Sequence, residues 1–422
     1  MKTLFHIDRI ILGIATIGIS GAILPLLFGQ ENFDYVTGNP RYEMALAFCY
    51  GLGGLLALRH FHQTLAVAGR SRPLVAAILL AFASVLWAEN PGLAIRRALA
   101  LSGCTMVGVL LAMRLTSAER LRFLSILLRI LTASSLVFAV FLPQYGISSE
   151  VLQPEGWIGV FNQKNGLGSC AALAFLVDSF LPGTIRSRLP WFALYALLLL
   201  KSNSISPLIA LLAAWILVFL FDRLRRRHKF SVRAIFQLLT AGVAVCVTVG
   251  LGSGFFQAAL RRSVDLTGRG QLWRALVPAI MMHPFLGYGY GAFWSGGSQE
   301  NYEVVRKITW DPMYSHCGYI EVIVSLGLAG LFLACWILFQ GVYRSVLISD
   351  SRESLEGLFP LALMFYFLVG NISEVTLLYH NCLEWAVFVA TLLAVLPGSP
   401  DLVRDESTDV EEGAQVPVEE LA

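Results

Sequence analysis

Long apolar runs separated by short polar stretches recur along this chain, and the polar stretches carry most of its arginines. A bilayer crossing needs roughly 20 apolar residues. Twelve candidate runs are found, centred near residues 19, 52, 80, 106, 133, 174, 195, 213, 245, 329, 365 and 389. The seventh, Trp191 to Leu200, is short, and the second, Met44 to Leu58, is rich in the small residues that let helices pack closely. The pattern predicts an all-α polytopic membrane protein of about 12 transmembrane helices with one large outer loop. Helices 1–9 fall in residues 1–256, the loop in 257–317, helices 10–12 in 318–398, and an acidic, disordered tail in 399–422.

The interval from Val264 to Glu321 breaks the rhythm. Connections between helices are usually a handful of residues, and a loop of this length is usually functional or disordered. This one is too aromatic and too punctuated by glycine to be disordered.

Composition fits the membrane reading. Hydrophobic residues make up 56%, charged residues only 14%, and the mean hydropathy is +0.68, which excludes an ordinary soluble enzyme and a nucleic-acid binder. Placing both termini in the cytoplasm puts 19 lysines and arginines on that side and 11 on the other, with Arg129 inside a span. That bias obeys the positive-inside rule and makes the 257–317 loop periplasmic. Arg96 and Arg97 are the exceptions; six of the 11 outward charges lie in the long loop, where the rule is weak. The cluster from Arg223 to Arg233 reads as a topology and lipid-contact feature. Lys2 and Arg9 before the first apolar run suggest an uncleaved anchor. Of seven cysteines, six fall in apolar runs, only Cys317 is expected at an aqueous boundary, and no zinc spacing occurs.

Several residues are suited to chemistry on an anionic substrate. Arg269 follows Gly268 at the start of an expected amphipathic helix, Gln271–Met282. A guanidinium is a permanent cation that grips phosphate oxygens with two parallel hydrogen bonds; the plainer reading pairs it with lipid headgroups or Asp265. His316, just before the span that begins near Tyr319, has a side chain able to take a proton from a hydroxyl, or simply to cap the helix. Lys164 and Asn165 stand at a helix start, where free N–H groups favour anions, or where lysine snorkels and asparagine caps. Trp273, Tyr288 and Tyr290 offer flat rings for sugars, or belong to an interfacial belt, and Glu321 sits in a first helical turn. Arg129, Asp178, Glu374 and Glu384 are ionisable groups within spans; the three acids lie near expected ends, within reach of water. No Asp-x-Asp or Glu-x-Asp pair exists to hold a divalent metal beside phosphates.

Four segments together resemble the O-antigen ligase and Wzy-type polysaccharide polymerase superfamily, and the exopolysaccharide-production polymerases most closely. They are Phe161 through Gly168, Thr267 through Trp273, Pro284 through Phe293, and Ser315 through Glu321. Gln163 stands where the family pattern has histidine, and Cys317 where it usually has asparagine. The resemblance implies a GT-C-like architecture and a glycosyltransferase without cofactor or metal. It implies transfer of a glycan from undecaprenyl diphosphate to an acceptor hydroxyl, at the periplasmic face of a bacterial inner membrane. His316 and Arg269 are then expected to be catalytic, and Lys164, Asn165, Tyr288, Tyr290, Trp273 and Glu321 to bind substrate. A polymerase of lipid-linked repeat units, with a flippase and a chain-length regulator as partners, is the leading reading. A ligase that moves finished glycan onto lipid A core or protein is the alternative. A twelve-span transporter would need two similar halves, which the sequence lacks.

Overall fold

In the computed structural model, residues 2–22, 40–148, 156–226, 269–308, 310, 312–351 and 354–399 are described. The apolar run near 245, residues 257–268 of the long loop, and most of the acidic tail lie outside these residues. The described chain is nearly all helical, and its one bridge between extended residues joins Ile147 to Trp157.

The helices are α1 (Lys2–Ile19), α2 (Pro40–Arg59), α3 (Phe61–Ala68), α4 (Arg72–Ala83), α5 (Pro91–Arg114), α6 (Ser117–Phe141), α7 (Lys164–Ser179), α8 (Leu189–Lys201) and α9 (Ile205–Arg226). After the gap come α10 (Arg269–Met282), α11 (Gln299–Arg306), α12 (Gly318–Ser351), α13 (Phe359–Gly370) and α14 (Leu383–Val395). Local sequence fixes several starts. Asn90 caps α5 by accepting from the Leu93 N–H at 3.0 Å, with Pro91 at the first helical position. Thr116 and Glu119 close a reciprocal capping box on α6.

Eleven of the twelve apolar run centres fall in these helices. Among the described residues, however, only α5, α6, α9 and α12 are long and apolar enough to cross a membrane. A fifth crossing is added if α2 and α3, bent by 101°, form one span. Helices such as α13 and α14, with 12 and 13 residues, reach only about 20 Å at 1.5 Å per residue. They are apolar because they are central. Trp385 of α14 is fully buried and donates to Thr105 of α5 at 2.9 Å, and Phe388 stacks on Phe367 of α13 at 4.2 Å. A side-chain carbon on Gly108 would meet the Ala386 carbonyl at 2.7 Å, so α5 and α14 touch backbone to backbone there. Apolar run length alone cannot tell a buried half-length helix from a spanning one.

The expectation that Asp178 reaches water is corrected by its surroundings. Asp178 is wholly buried and accepts from Ser125 at 2.6 Å, Tyr195 at 2.9 Å, and Arg129 at 3.0 and 2.9 Å. Arg129 and Asp178 are thus each other's partners, and Ser125 and Tyr195 add hydrogen bonds to the carboxylate, which is the condition under which buried ions are tolerated.

The glycine-rich segment 284–291 is a structural device. Helix α12 breaks at Gly327, where φ is +64°, and the chain from Pro284 lies across the break. Leu328 donates to the Pro284 carbonyl at 2.8 Å, Ala329 to that of Phe285 at 3.1 Å, and Tyr288 to that of Val324 at 2.9 Å. The crossing segment therefore satisfies backbone groups that the break would leave orphaned in an apolar setting.

Candidate active site

Arg269 opens α10 and its guanidinium is held from three directions. Nη2 lies 3.2 Å from Oε1 of Glu374, Nη1 donates to Ser206 Oγ at 3.3 Å, and Nη1 also donates to the Ser373 carbonyl. Asn165, the second residue of α7, donates its amide to the same Glu374 oxygen at 3.1 Å and accepts from Ser204 at 2.9 Å. Lys164 stands beside it as the first residue of α7. Three helix starts and the 371–382 loop therefore meet at one carboxylate. Burial pushes Glu374 above the usual carboxylate range, and the Arg269 charge opposes that rise. Asp265, an alternative partner for Arg269 on sequence grounds, lies outside the described residues.

His316 is placed by the same helix. Trp273, one turn beyond Arg269, donates Nε1 to the Ser315 carbonyl at 2.8 Å. Glu321 accepts from the Ser315 N–H at 2.7 Å and from Trp294 Nε1 at 2.9 Å, tying the loop to α12. Within this clamp His316 adopts a left-handed φ of +55°, a conformation a non-glycine residue keeps only when its surroundings enforce it. Tyr314 lies 4.3 Å from its ring and Trp310 5.4 Å. Its buried Nδ1 has no hydrogen-bond partner among the described residues. Desolvation, helped by the Arg269 charge, pushes its pKa down to about 3, so the imidazole is neutral at physiological pH. Cys317, expected at a watery boundary, is buried, and that burial raises its thiol.

A cavity of about 970 Å³ adjoins this cluster. Gln163, Asn165, Tyr314 and Glu374 face it, as do Arg97 and His380. Arg269 and His316 stand one layer behind that wall, Arg269 through Glu374 and His316 through the Tyr314 ring, and Lys164 does not line it although its neighbour Asn165 does. The aromatic candidates are turned elsewhere. Tyr288 donates to the Ala279 carbonyl at 2.8 Å and Tyr290 to that of Leu378 at 2.7 Å, both buried. With Trp273 and Glu321 they brace the site's framework rather than face the cavity. Tyr314 donates to Gln163 at 3.1 Å, which links the position that departs from the family pattern to the ring covering His316.

Glu374 belongs to the ionisable groups within spans, which are functional candidates by default, whereas His380 lies in none of the four family-like segments. Glu374 was visible only as an ionisable group near a helix end. The signal for both was the polar stretch between the last two apolar runs, Asn371 to Asn381, a gap too polar to be a mere tight turn. Among the described residues, no group of three or more His, Cys, Asp or Glu is arranged to hold a metal ion.

Comparison with known proteins adds two findings. Residues 190–335 match the family model for O-antigen ligase, a range that contains Arg269, Trp273, Tyr288, Tyr290, His316 and Glu321. The chain is also 24% identical over 337 residues to the exopolysaccharide production protein ExoQ of Rhizobium meliloti (strain 1021), covering 74% of each chain. Both agree with the resemblance carried by the four motifs.

Proposed function

We propose that the protein is a polysaccharide polymerase that joins undecaprenyl-diphosphate-linked repeat units at the periplasmic face of a bacterial inner membrane. In this reading both termini are cytoplasmic and the long loop lies outside. The observation that carries it is the chain of contacts from Arg269 through Glu374 and Asn165 to the wall of the large cavity.

In the reaction, the bond between the donor sugar's anomeric carbon and the diphosphate oxygen breaks as the acceptor hydroxyl oxygen bonds to that carbon. Undecaprenyl diphosphate leaves with the electron pair, and the hydroxyl proton passes to a base. Arg269, with Lys164, neutralises charge that grows on the departing diphosphate, the point at which fixed cations accelerate transfer most. Incoming phosphate oxygens replace Glu374 as the partner of Arg269. Neutral His316 takes the proton or orients the hydroxyl once the Tyr314 ring turns aside. A nearby diphosphate also offsets the Arg269 charge, which raises the basicity of His316 when the donor is bound. Diphosphate is a good leaving group, so no metal is required.

A ligase would use the same donor. The two are separated by what accumulates in cells lacking the protein. Loss of a polymerase leaves single repeat units on the lipid carrier, whereas loss of a ligase leaves long lipid-linked chains unattached. A ladder of long unattached chains would overturn the polymerase reading.

A further inference from the structure

Arg96 and Arg97 run against the charge rule that the rest of the sequence obeys, and the site described above does not use them. Both face the large cavity, in the first turns of α5, with the positive end of that helix behind them. Arg97 is set against the glycine-rich turn. It donates to the Gly291 carbonyl, and a side-chain carbon at Gly291 would lie 2.6 Å from its Cδ. Arg96 is paired with Glu43 at 3.1 Å, but both side chains are nearly half exposed. Such a pair contributes little, so Arg96 can exchange that carboxylate for phosphate oxygens at small cost. His380 faces the same cavity, and its buried Nδ1 has no hydrogen-bond partner among the described residues. The cavity, about 970 Å³, is at the upper end of the range for small-molecule sites, with room for more than one sugar-phosphate head.

If the polymerase reading holds, on which this inference rests, both substrates carry a diphosphate, while Arg269 and Lys164 serve only the one that leaves. We infer that Arg97, assisted by Arg96 and His380, binds the diphosphate of the acceptor lipid, giving the cavity a cationic station for each substrate. Arg97 is thus a specificity-determining residue for the acceptor.

The test uses purified full-length protein in lipid, a prenyl-diphosphate-linked repeat unit as donor, and two acceptors with the same sugars. One acceptor is the diphosphate-linked unit; the other is its alkyl glycoside, which has no phosphate. The wild type is expected to favour the diphosphate acceptor by about 10- to 100-fold in kcat/KM, the size set by one or two charge-assisted hydrogen bonds. Arg97→Gln should collapse that preference towards one by raising KM for the diphosphate acceptor, with the donor KM unmoved, and Arg97→Lys should restore part of it. Arg96→Gln should lower it less. Inorganic diphosphate should compete with the diphosphate acceptor in the wild type and less so in Arg97→Gln. A preference unchanged in Arg97→Gln, or a rise in donor KM instead, would overturn the acceptor station and leave the polymerase standing. A wild type that glycosylates lipid A core but no lipid-linked repeat unit would overturn the polymerase reading and, with it, the station.

Discussion

Glu374 and Arg269 pair at 3.2 Å across 105 positions of sequence, each side chain about one tenth exposed. The pair fixes the guanidinium beside the cavity while Asn165 holds the carboxylate's same oxygen. Removing one partner leaves a poorly solvated charge, a loss of about 3 kcal/mol for buried pairs. Glu374→Ala should therefore lower the melting temperature and abolish polymer synthesis together. Glu374→Gln keeps the shape and an acceptor oxygen, and should lose less of both. Thermal unfolding in detergent and polymer yield check this; equal behaviour of the two variants would contradict it.

The second prediction concerns acid. His316 has its pKa pushed down to about 3 from an ordinary 6.5, chiefly by desolvation. Above pH 6.5 the folded and unfolded forms are both neutral, so this group contributes no pH dependence there. Between pH 6.5 and 3 the unfolded chain takes up a proton that the folded chain refuses, so stability falls with falling pH. His380 is shifted in the same direction by the same cause, first desolvation and then the Arg97 charge. His316→Asn should flatten the acid-unfolding curve across that window, and His316→Asn with His380→Asn should flatten it further. Curves parallel to the wild type would rule the shifts out.

Much of this was legible in the sequence, for identifiable reasons. Eleven apolar runs became helices because a greasy run has no other way to satisfy its backbone in a membrane. Arg269, Trp273, Lys164, Asn165 and His316 stand out in the sequence because cations, an imidazole, an amide and an aromatic ring gather in glycine-punctuated segments of an otherwise apolar chain. What could not be read was depth. The hydroxyls of Tyr288 and Tyr290 are taken by the Ala279 and Leu378 carbonyls, contacts no local pattern encodes. Glu374 is visible in the sequence as an ionisable group near a helix end, but its pairing with Arg269, 105 residues away, is not, and apolar run length does not show that α13 and α14 are short inner helices.

The glycine-rich turn makes a third prediction. Gly289 has φ of +93°, and a side-chain carbon there would sit 2.4 Å from Cβ of Ala88 and 2.8 Å from its Cα. Gly289→Ala carries a backbone strain of about 1–3 kcal/mol plus that overlap, and should be poorly expressed. Gly183, at φ +107° with nothing within 4 Å of the added carbon, isolates the backbone contribution. Gly183→Ala should be the milder of the two in expression and melting temperature; the reverse order would contradict the packing described.

A fourth prediction concerns metal. Arg269 and Lys164 are proposed to supply the cationic charge that other phosphate-handling sites draw from a divalent ion. Purified protein should turn over its lipid-linked repeat unit in EDTA. Turnover that stops in EDTA and returns with magnesium or manganese would contradict this.

Arg269 and His316 carry the central claim. Lysine at 269 keeps the charge but loses the two-pronged grip, so Arg269→Lys should be severely impaired. His316→Ala removes the proposed proton acceptor, a loss of about 10²- to 10⁴-fold for a general base. The most direct measurement is gel analysis of lipid-linked glycan from cells expressing each variant at wild-type level. The account predicts no long polymer and an accumulation of single undecaprenyl-diphosphate-linked repeat units in both. Normal polymer from well-expressed His316→Ala protein would contradict it.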